Sequence, residues 1–170
     1  MKGFTLLETI VAIAVLTLAF LGPLAVSTFL LSRSSFSSNQ VIAYNLAEEG
    51  MELIINKRDS LIFADPSGGW NTFKTTMQSA QCHVGNGCYI NITNGAMNGC
   101  GGNCPVLRKD TVSGLYSYDA SDPATIFERR IFIPAGGGTD EKQVRVTVLW
   151  QEKNGGTRSF VLERYVYNRK

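Results

Sequence analysis

The strongest constraint on this chain is a run of 24 consecutive residues without a charge, between Glu8 and Arg33. As an α-helix such a run is about 36 Å long, enough to cross the roughly 30 Å hydrocarbon core of a bilayer. Nearly all of the 16 basic and 14 acidic residues follow it, so the mean hydropathy of +0.01 averages two different segments. We predict a membrane-spanning helix followed by a water-exposed head.

Two features inside the run bear on this prediction. Gly22-Pro23 lacks one backbone donor, and the proline ring clashes with the preceding turn, which predicts a kink or a locally melted turn. The small residues Ala25-Val26-Ser27 suit a signal peptidase. However, the apolar part of a signal peptide spans about 7–15 residues after a basic segment, whereas this run is longer and follows one Lys and an acid. We therefore favour a retained span over a cleaved secretory signal.

Glu8 stands directly before the run, where a carboxylate is costly in a membrane. Thr5 and Glu8 have the S/T-x-x-E spacing of a capping box, in which the acid bonds a backbone donor at the helix start. Acids in membrane helices also tend to mark a paired function. Both interpretations fit Glu8 when it is taken alone.

The whole string from Lys2 to Glu8, abutting the apolar run, resembles the processing signal of type IV prepilins and pseudopilins. The resemblance implies that residues 1–3 are a leader peptide and that a prepilin peptidase cuts between Gly3 and Phe4. It also implies N-methylation of the new N-terminal residue, Phe4. Glu8 then becomes the fifth residue of the mature chain, where the family carries an acid.

In that family the acid neutralises the N-terminal ammonium of a neighbouring subunit. Two unit charges ~4 Å apart attract by about 4 kcal/mol at an effective dielectric of ~20, before desolvation is subtracted. The resemblance therefore implies that Glu8 sets the register between subunits of a helical filament.

The resemblance further implies a structural function. It predicts a minor pilin, most like the pilus modification type, in a type IV pilus-like filament; a pseudopilin of a type II secretion system or a DNA-uptake pilus is the alternative. The implied partners are the prepilin peptidase and N-methyltransferase, other pilins, an inner-membrane assembly platform and membrane lipid. The protein would cross the inner membrane once, with its head on the extracytoplasmic side, and then join a pilus at the cell surface.

Helical spacing resumes after a Ser-rich connector, Ser32–Asn39. We predict one helix from Phe4 to about Ser60, with a transmembrane or filament-core part over 4–32 and an amphipathic part over 33–60 that packs on the head, 61–170. The predicted apolar stripe consists of Ile42, Ala43, Leu46, Ala47, Met51, Leu53 and Ile54. No chemistry is assigned to the adjacent Glu48, Glu49 and Glu52.

All four cysteines, Cys82, Cys88, Cys100 and Cys104, lie in a Gly-rich segment predicted as loop over 65–114. An even count in a head outside the cytoplasm predicts two disulfides. Three pairings are possible, and the nested one, Cys82–Cys104 with Cys88–Cys100, would tie the segment best, at roughly 2–4 kcal/mol per bridge. Zinc with His83 as an extra ligand is the alternative, but the spacing matches no C-x2-C knuckle. We predict no metal site and no cofactor.

The clearest β signal lies over 126–167. Three alternating segments, 126–133, 143–150 and 158–167, are separated by the turn signals Pro134–Gly138 and Asn154–Gly156, which predicts an antiparallel meander. A three-residue turn then sets the register of the last two strands, with Arg164 opposite Val146 at an edge or beside a carboxylate. The predicted pairs are Trp150–Phe160, Val148–Leu162, Val144–Val166, Thr147–Glu163 and Arg145–Tyr165.

We therefore expect an α+β, pilin-like fold, in which one long N-terminal helix packs around Met51 and Ile54 on the Trp150 face of a three- to four-stranded antiparallel sheet. An enzyme is not expected, because His83 is the only histidine and neither a carboxylate pair nor a Gly-x-Ser-x-Gly elbow occurs. Basic residues alternate with acids and the net charge is only +2. We therefore expect no specific nucleic-acid binding.

Overall fold

A computed structural model describes residues 5–136, 138–152 and 156–169. The chain divides into two compact units, one ending at Asn39 and the other beginning at Gln40. The first helix, α1 (Leu6–Ala64), is assigned across this boundary. The predicted leader, with Gly3 and Phe4, lies outside the described residues.

The N-terminal part of α1 has the length and composition of a membrane span. Within the described residues it is the one such helix: Leu6–Pro23 has 18 residues, a mean hydropathy of 2.1 and no buried residue. The helix continues through Pro23, so the predicted melted turn is wrong. A proline lacks the amide that would bond to the carbonyl four residues earlier, which is that of Ala19, so the helix continues with one backbone hydrogen bond fewer. Ser27 Oγ in the next turn donates to the Pro23 carbonyl over 2.7 Å.

In the second unit α1 buries one side. The buried positions are spaced three or four residues apart, as an amphipathic helix requires. They are Ala43, Leu46, Ala47, Gly50, Met51, Ile54 and Arg58. The predicted stripe is therefore confirmed at its centre, whereas Ile42 and Leu53 are only half-buried.

The segment predicted as loop contains regular structure. A second helix, α2 (Gly69–Ser79), buries Trp70, Phe73 and Met77. Short strands follow it: β1 (Cys88–Ile90), β2 (Met97–Gly99), β3 (Val106–Lys109) and β4 (Tyr116–Ser117). With two to four residues each, these strands are too short to show an alternating pattern in the sequence.

The predicted meander is present as β5 (Ala124–Phe132), β6 (Glu141–Gln151) and β7 (Thr157–Tyr167), which pair antiparallel in that order. β5 also pairs with β1 and β3, which in turn pair with β2 and β4. The sheet therefore has seven strands rather than three or four. The α+β class is confirmed.

The core of the second unit lies between α1 and the sheet. On β6 the side chains of Val144, Val146, Val148 and Trp150 are buried, as are Met51 and Ile54 on the helix. The helix lies very close to the sheet at Gly50. A Cβ added there would be only 3.0 Å from Val146 Cγ1.

The register of β6 and β7 differs from the prediction by two residues. Every pair predicted above is therefore wrong: Trp150 lies opposite Arg158, Val148 opposite Phe160 and Val144 opposite Arg164. The connection begins one residue earlier than predicted, since the Glu152 amide donates to the Gly156 carbonyl over 3.0 Å and Glu152 therefore faces Gly156. The observed register also pairs Arg145 with Glu163. A two-residue shift leaves the same side chains on the buried face.

Candidate functional site

The start of α1 brings Thr5 and Glu8 together. The Glu8 amide donates to the Thr5 carbonyl over 3.0 Å and to Thr5 Oγ1 over 3.4 Å, so Thr5 supplies the helix cap. The Glu8 side chain is exposed, and no side chain in the described part of the chain forms an ion pair with it.

The helix surface on both sides of Glu8 is apolar. Leucine, isoleucine, valine and phenylalanine side chains are exposed along it, including Leu6, Leu7, Ile10, Val11 and Phe20. Its hydroxyl groups bond to their own helix: Thr9 Oγ1 donates to the Leu6 carbonyl over 2.8 Å and Thr17 Oγ1 to the Ala14 carbonyl over 2.9 Å. A helix of this kind needs lipid or other helices around it.

Only part of the predicted N-terminal site can be placed. Gly3 and Phe4, the predicted cleavage and methylation residues, lie outside the described residues. The geometry therefore describes Glu8 and its cap, with the exposed helix that follows them.

The four cysteines form two local disulfides, Cys82–Cys88 and Cys100–Cys104. The predicted nested pairing is wrong because the chain reverses inside each short segment. Gly87 has a φ of +78°, a conformation that favours glycine, and its carbonyl accepts the Cys100 amide over 2.9 Å. The cysteines therefore hold no thiolate for the zinc alternative with His83.

Two arginines of the sheet meet glutamates of α1. The fully buried Arg129 donates through Nη1 to Glu49 Oε2 over 2.9 Å and to the Leu46 carbonyl over 3.2 Å. Arg164 Nη2 lies 2.7 Å from Glu48 Oε2, so the carboxylate partner predicted for Arg164 is present. These glutamates hold the helix to the sheet.

The Arg129 contact was missed, although the sequence contains a signal for it. Phe127, Arg129 and Ile131 are alternate residues of β5 and are all buried. An arginine at an inward position of a strand requires a buried partner. Arg129 also affects Tyr118: burial raises the pKa of Tyr118, and the positive charge of Arg129 opposes that rise.

Comparison of the chain with protein-family models, curated proteins and solved structures finds no match. In the parts that the structure describes, no group of three or more His, Cys, Asp and Glu side chains could hold a metal ion. The feature that most needs an external partner is the exposed apolar span Leu6–Pro23, which contains Glu8.

Proposed function

We propose that this protein is a structural subunit, of the minor-pilin type, in a type IV pilus-like filament. The observation that carries the proposal is the unburied apolar span Leu6–Pro23, with the acid Glu8 near its beginning. The prepilin-like string Lys2–Glu8 supports it. Lipid would surround this helix before assembly, and the helices of other subunits would replace lipid in the filament.

In this proposal Glu8 sets the register between neighbouring subunits. Thr5 Oγ1 caps the Glu8 amide, whereas the exposed Glu8 carboxylate makes no hydrogen bond to the Thr5 amide, so it does not complete a capping box with the described residues. In a filament core the carboxylate requires a cation, and the ammonium created at Phe4 of another subunit has the complementary charge. Their pairing would fix one subunit against the next.

The head supports an extracytoplasmic location. Two disulfides suit an oxidising compartment, which supports a head on the extracytoplasmic side of the inner membrane. The proposed partners are the prepilin peptidase and N-methyltransferase, other pilins, the assembly platform and membrane lipid. No catalytic role is proposed.

Mass spectrometry tests the processing step. Protein from cells with an active prepilin peptidase should lack residues 1–3 and should begin with N-methylated Phe4. A Gly3→Leu variant, which alters the cleavage residue alone, should keep Met1. An intact Met1 in the unsubstituted protein would contradict the proposal.

Substitution of Glu8 tests assembly. The Glu8→Ala variant should insert into the membrane normally but enter filaments poorly, because the neighbouring ammonium loses its partner. Thr5→Ala is the matched control, since it weakens the helix cap and leaves the charge in place. Normal incorporation of Glu8→Ala would mean that Glu8 does not set the register.

A secretion pseudopilus or a DNA-uptake pilus would use the same helix. Deletion of the gene separates these alternatives from a surface pilus. Loss of surface filaments is expected for the minor pilin that we propose, whereas loss of protein secretion or of DNA uptake with normal surface filaments would favour an alternative.

A further inference from the structure

A pocket of about 420 Å³ lies in the head between α2 and the chain that leaves β5. Its apolar lining includes Phe73, Met77 and Ile133, which are all buried. Asn71, Lys74 and Gln78 of α2 also line it, and their spacing places them on one side of that helix. Lys142 of β6 and His83 complete the polar part of the lining.

Backbone hydrogen bonds fix the walls of this pocket. The Cys82 amide donates to the Met77 carbonyl over 3.1 Å, and the Ile133 amide donates to the Cys82 carbonyl over 2.9 Å. The Cys82–Cys88 disulfide anchors the same segment. His83, which follows Cys82, is thus held between the end of α2 and the end of β5. A pocket with walls fixed in this way is formed before any ligand arrives.

The charged side chains that line the pocket are all positive. Its lining contains Lys74 and Lys142 but no Asp or Glu. Both lysines are half-buried, and neither forms an ion pair with a carboxylate of the described chain. Of the two acids that precede Lys142, Asp140 accepts a hydrogen bond from Asn168 Nδ2 over 3.0 Å, and Glu141 does not line the pocket.

The ammonium group of Lys142 is also positioned to donate a hydrogen bond to a ligand. Lys142 Nζ donates to the carbonyls of Ala135 over 3.3 Å and Gly136 over 3.0 Å, which fixes the ammonium and leaves a third N–H for a ligand. His83 Nδ1 has no hydrogen-bond partner in the described chain, but it is closed off from solvent, so a ligand in the pocket does not reach it.

We propose that this pocket binds a small organic anion, a carboxylate attached to an apolar body. Lys74 and Lys142 would hold the carboxylate through charge-assisted hydrogen bonds, and the apolar body would cover Phe73, Met77 and Ile133. An uncharged ligand leaves both ammonium groups uncompensated, and a small inorganic anion leaves the apolar lining in water. Both parts of the ligand are therefore needed. The site belongs to the head and does not rest on the filament function.

Calorimetric titration of the full chain in lipid nanodiscs tests the site. The probe is 4-phenylbutyrate; 4-phenylbutan-1-ol has the same body without the charge, and acetate has the charge without the body. Empty nanodiscs give the background from partition into lipid. We expect 4-phenylbutyrate to bind at least tenfold more tightly than either comparison ligand. No binding of 4-phenylbutyrate, or equal affinity for the alcohol or for acetate, would overturn the proposal.

Variants then locate the binding. Lys74→Gln combined with Lys142→Gln should weaken 4-phenylbutyrate binding at least tenfold, whereas Lys109→Gln, at an exposed lysine of β3, should not change it. Ala135→Trp fills the pocket while keeping both charges and should abolish binding. Circular dichroism establishes that each variant is folded. Unchanged affinity in the double lysine variant or in Ala135→Trp would overturn the proposal.

Discussion

Arg129 and Glu49 connect the middle of the sheet to α1, with 2.9 Å between Arg129 Nη1 and Glu49 Oε2. The Arg129 side chain is 0% exposed and that of Glu49 is 38% exposed, so the pair extends from the core to the surface. Arg129 lies on β5, the strand with which β1, β3 and β6 all pair. A single guanidinium group therefore helps to fix the position of the helix on the sheet.

Removal of Arg129 should be among the most destabilising single substitutions in the head. We expect Arg129→Ala to lower the free energy of unfolding by about 3–5 kcal/mol, because it leaves a cavity and removes the bonds to Glu49 and Leu46. Glu49→Gln keeps an oxygen acceptor but leaves the buried Arg129 charge without its carboxylate, so it should cost about 1–3 kcal/mol. Urea unfolding followed by the fluorescence of the two buried tryptophans, Trp70 and Trp150, measures both.

Arg145→Ala is the matched control for this prediction. Arg145 and Glu163 also form an ion pair, but their side chains are 44% and 41% exposed. Exposed pairs contribute about 0–1 kcal/mol, so this substitution should cost little. An equal loss of stability in Arg145→Ala and Arg129→Ala would mean that burial is not what makes Arg129 important.

Gly50 should tolerate no side chain. Alanine forms helix better than glycine by about 1 kcal/mol, which alone would favour Gly50→Ala. However, its Cβ would lie 2.8 Å from Arg129 Cδ and 3.0 Å from Val146 Cγ1, both in the core. Overpacking of this kind costs about 1–3 kcal/mol, so we expect a net loss of stability in thermal unfolding. Gly102→Ala, with no atom within 4 Å of the new Cβ, is the control. A stabilised Gly50→Ala variant would refute the close contact.

The parts of the fold that could be predicted are those in which hydrophobic residues recur regularly over a long stretch of sequence. The stripe around Met51 and the alternation along β6 each extend over several turns or residue pairs, so the burial pattern follows from the sequence. The register of β6 and β7 depends instead on the residue at which their connection begins, which the turn residues did not reveal. The pairing of Cys82 with Cys88 likewise depends on a local chain reversal.

The N-terminal site could be predicted from the sequence, whereas the pocket in the head could not. The charge-free run, the position of Glu8 and the capping spacing of Thr5 are all visible in the sequence. Lys74 and Lys142 are separated by a large part of the chain. Only the tertiary fold brings them to one pocket, so no local pattern could have shown it.

The two disulfides should differ in importance. Both close short loops, for which chain entropy gives about 2 kcal/mol each. Cys82 and Cys88 are fully buried and anchor a pocket wall, whereas Cys100 and Cys104 are slightly exposed. The double Cys→Ala variant of the first pair should therefore unfold at a lower temperature than that of the second pair and should also weaken 4-phenylbutyrate binding. The reverse order of melting temperatures would contradict this ranking.

Asp65 should make the stability of the head depend on pH. Its Oδ1 accepts hydrogen bonds from the Gly68 amide over 3.0 Å and from the Ser67 amide over 3.1 Å and hydroxyl over 2.8 Å. These bonds, that from Gly68 foremost, lower the pKa of Asp65 below its ordinary value of 3.8. The unfolded chain therefore binds the proton first as the pH falls. The stabilisation is fully present above the ordinary pKa and is lost as the pH falls through the folded-state pKa.

Urea unfolding of the unsubstituted protein and of Asp65→Ala between pH 7 and pH 2 measures this contribution. The difference in stability between the two proteins should be constant near neutral pH and should shrink in the acid range, because protonation removes the acceptor that the Ala variant already lacks. Ser67→Ala deletes the hydroxyl donor to the same carboxylate and keeps its charge, so its pH-dependent part should be smaller than that of the unsubstituted protein. A difference between the unsubstituted protein and Asp65→Ala that stays constant down to pH 2 would show that these hydrogen bonds do not favour the ionised carboxylate.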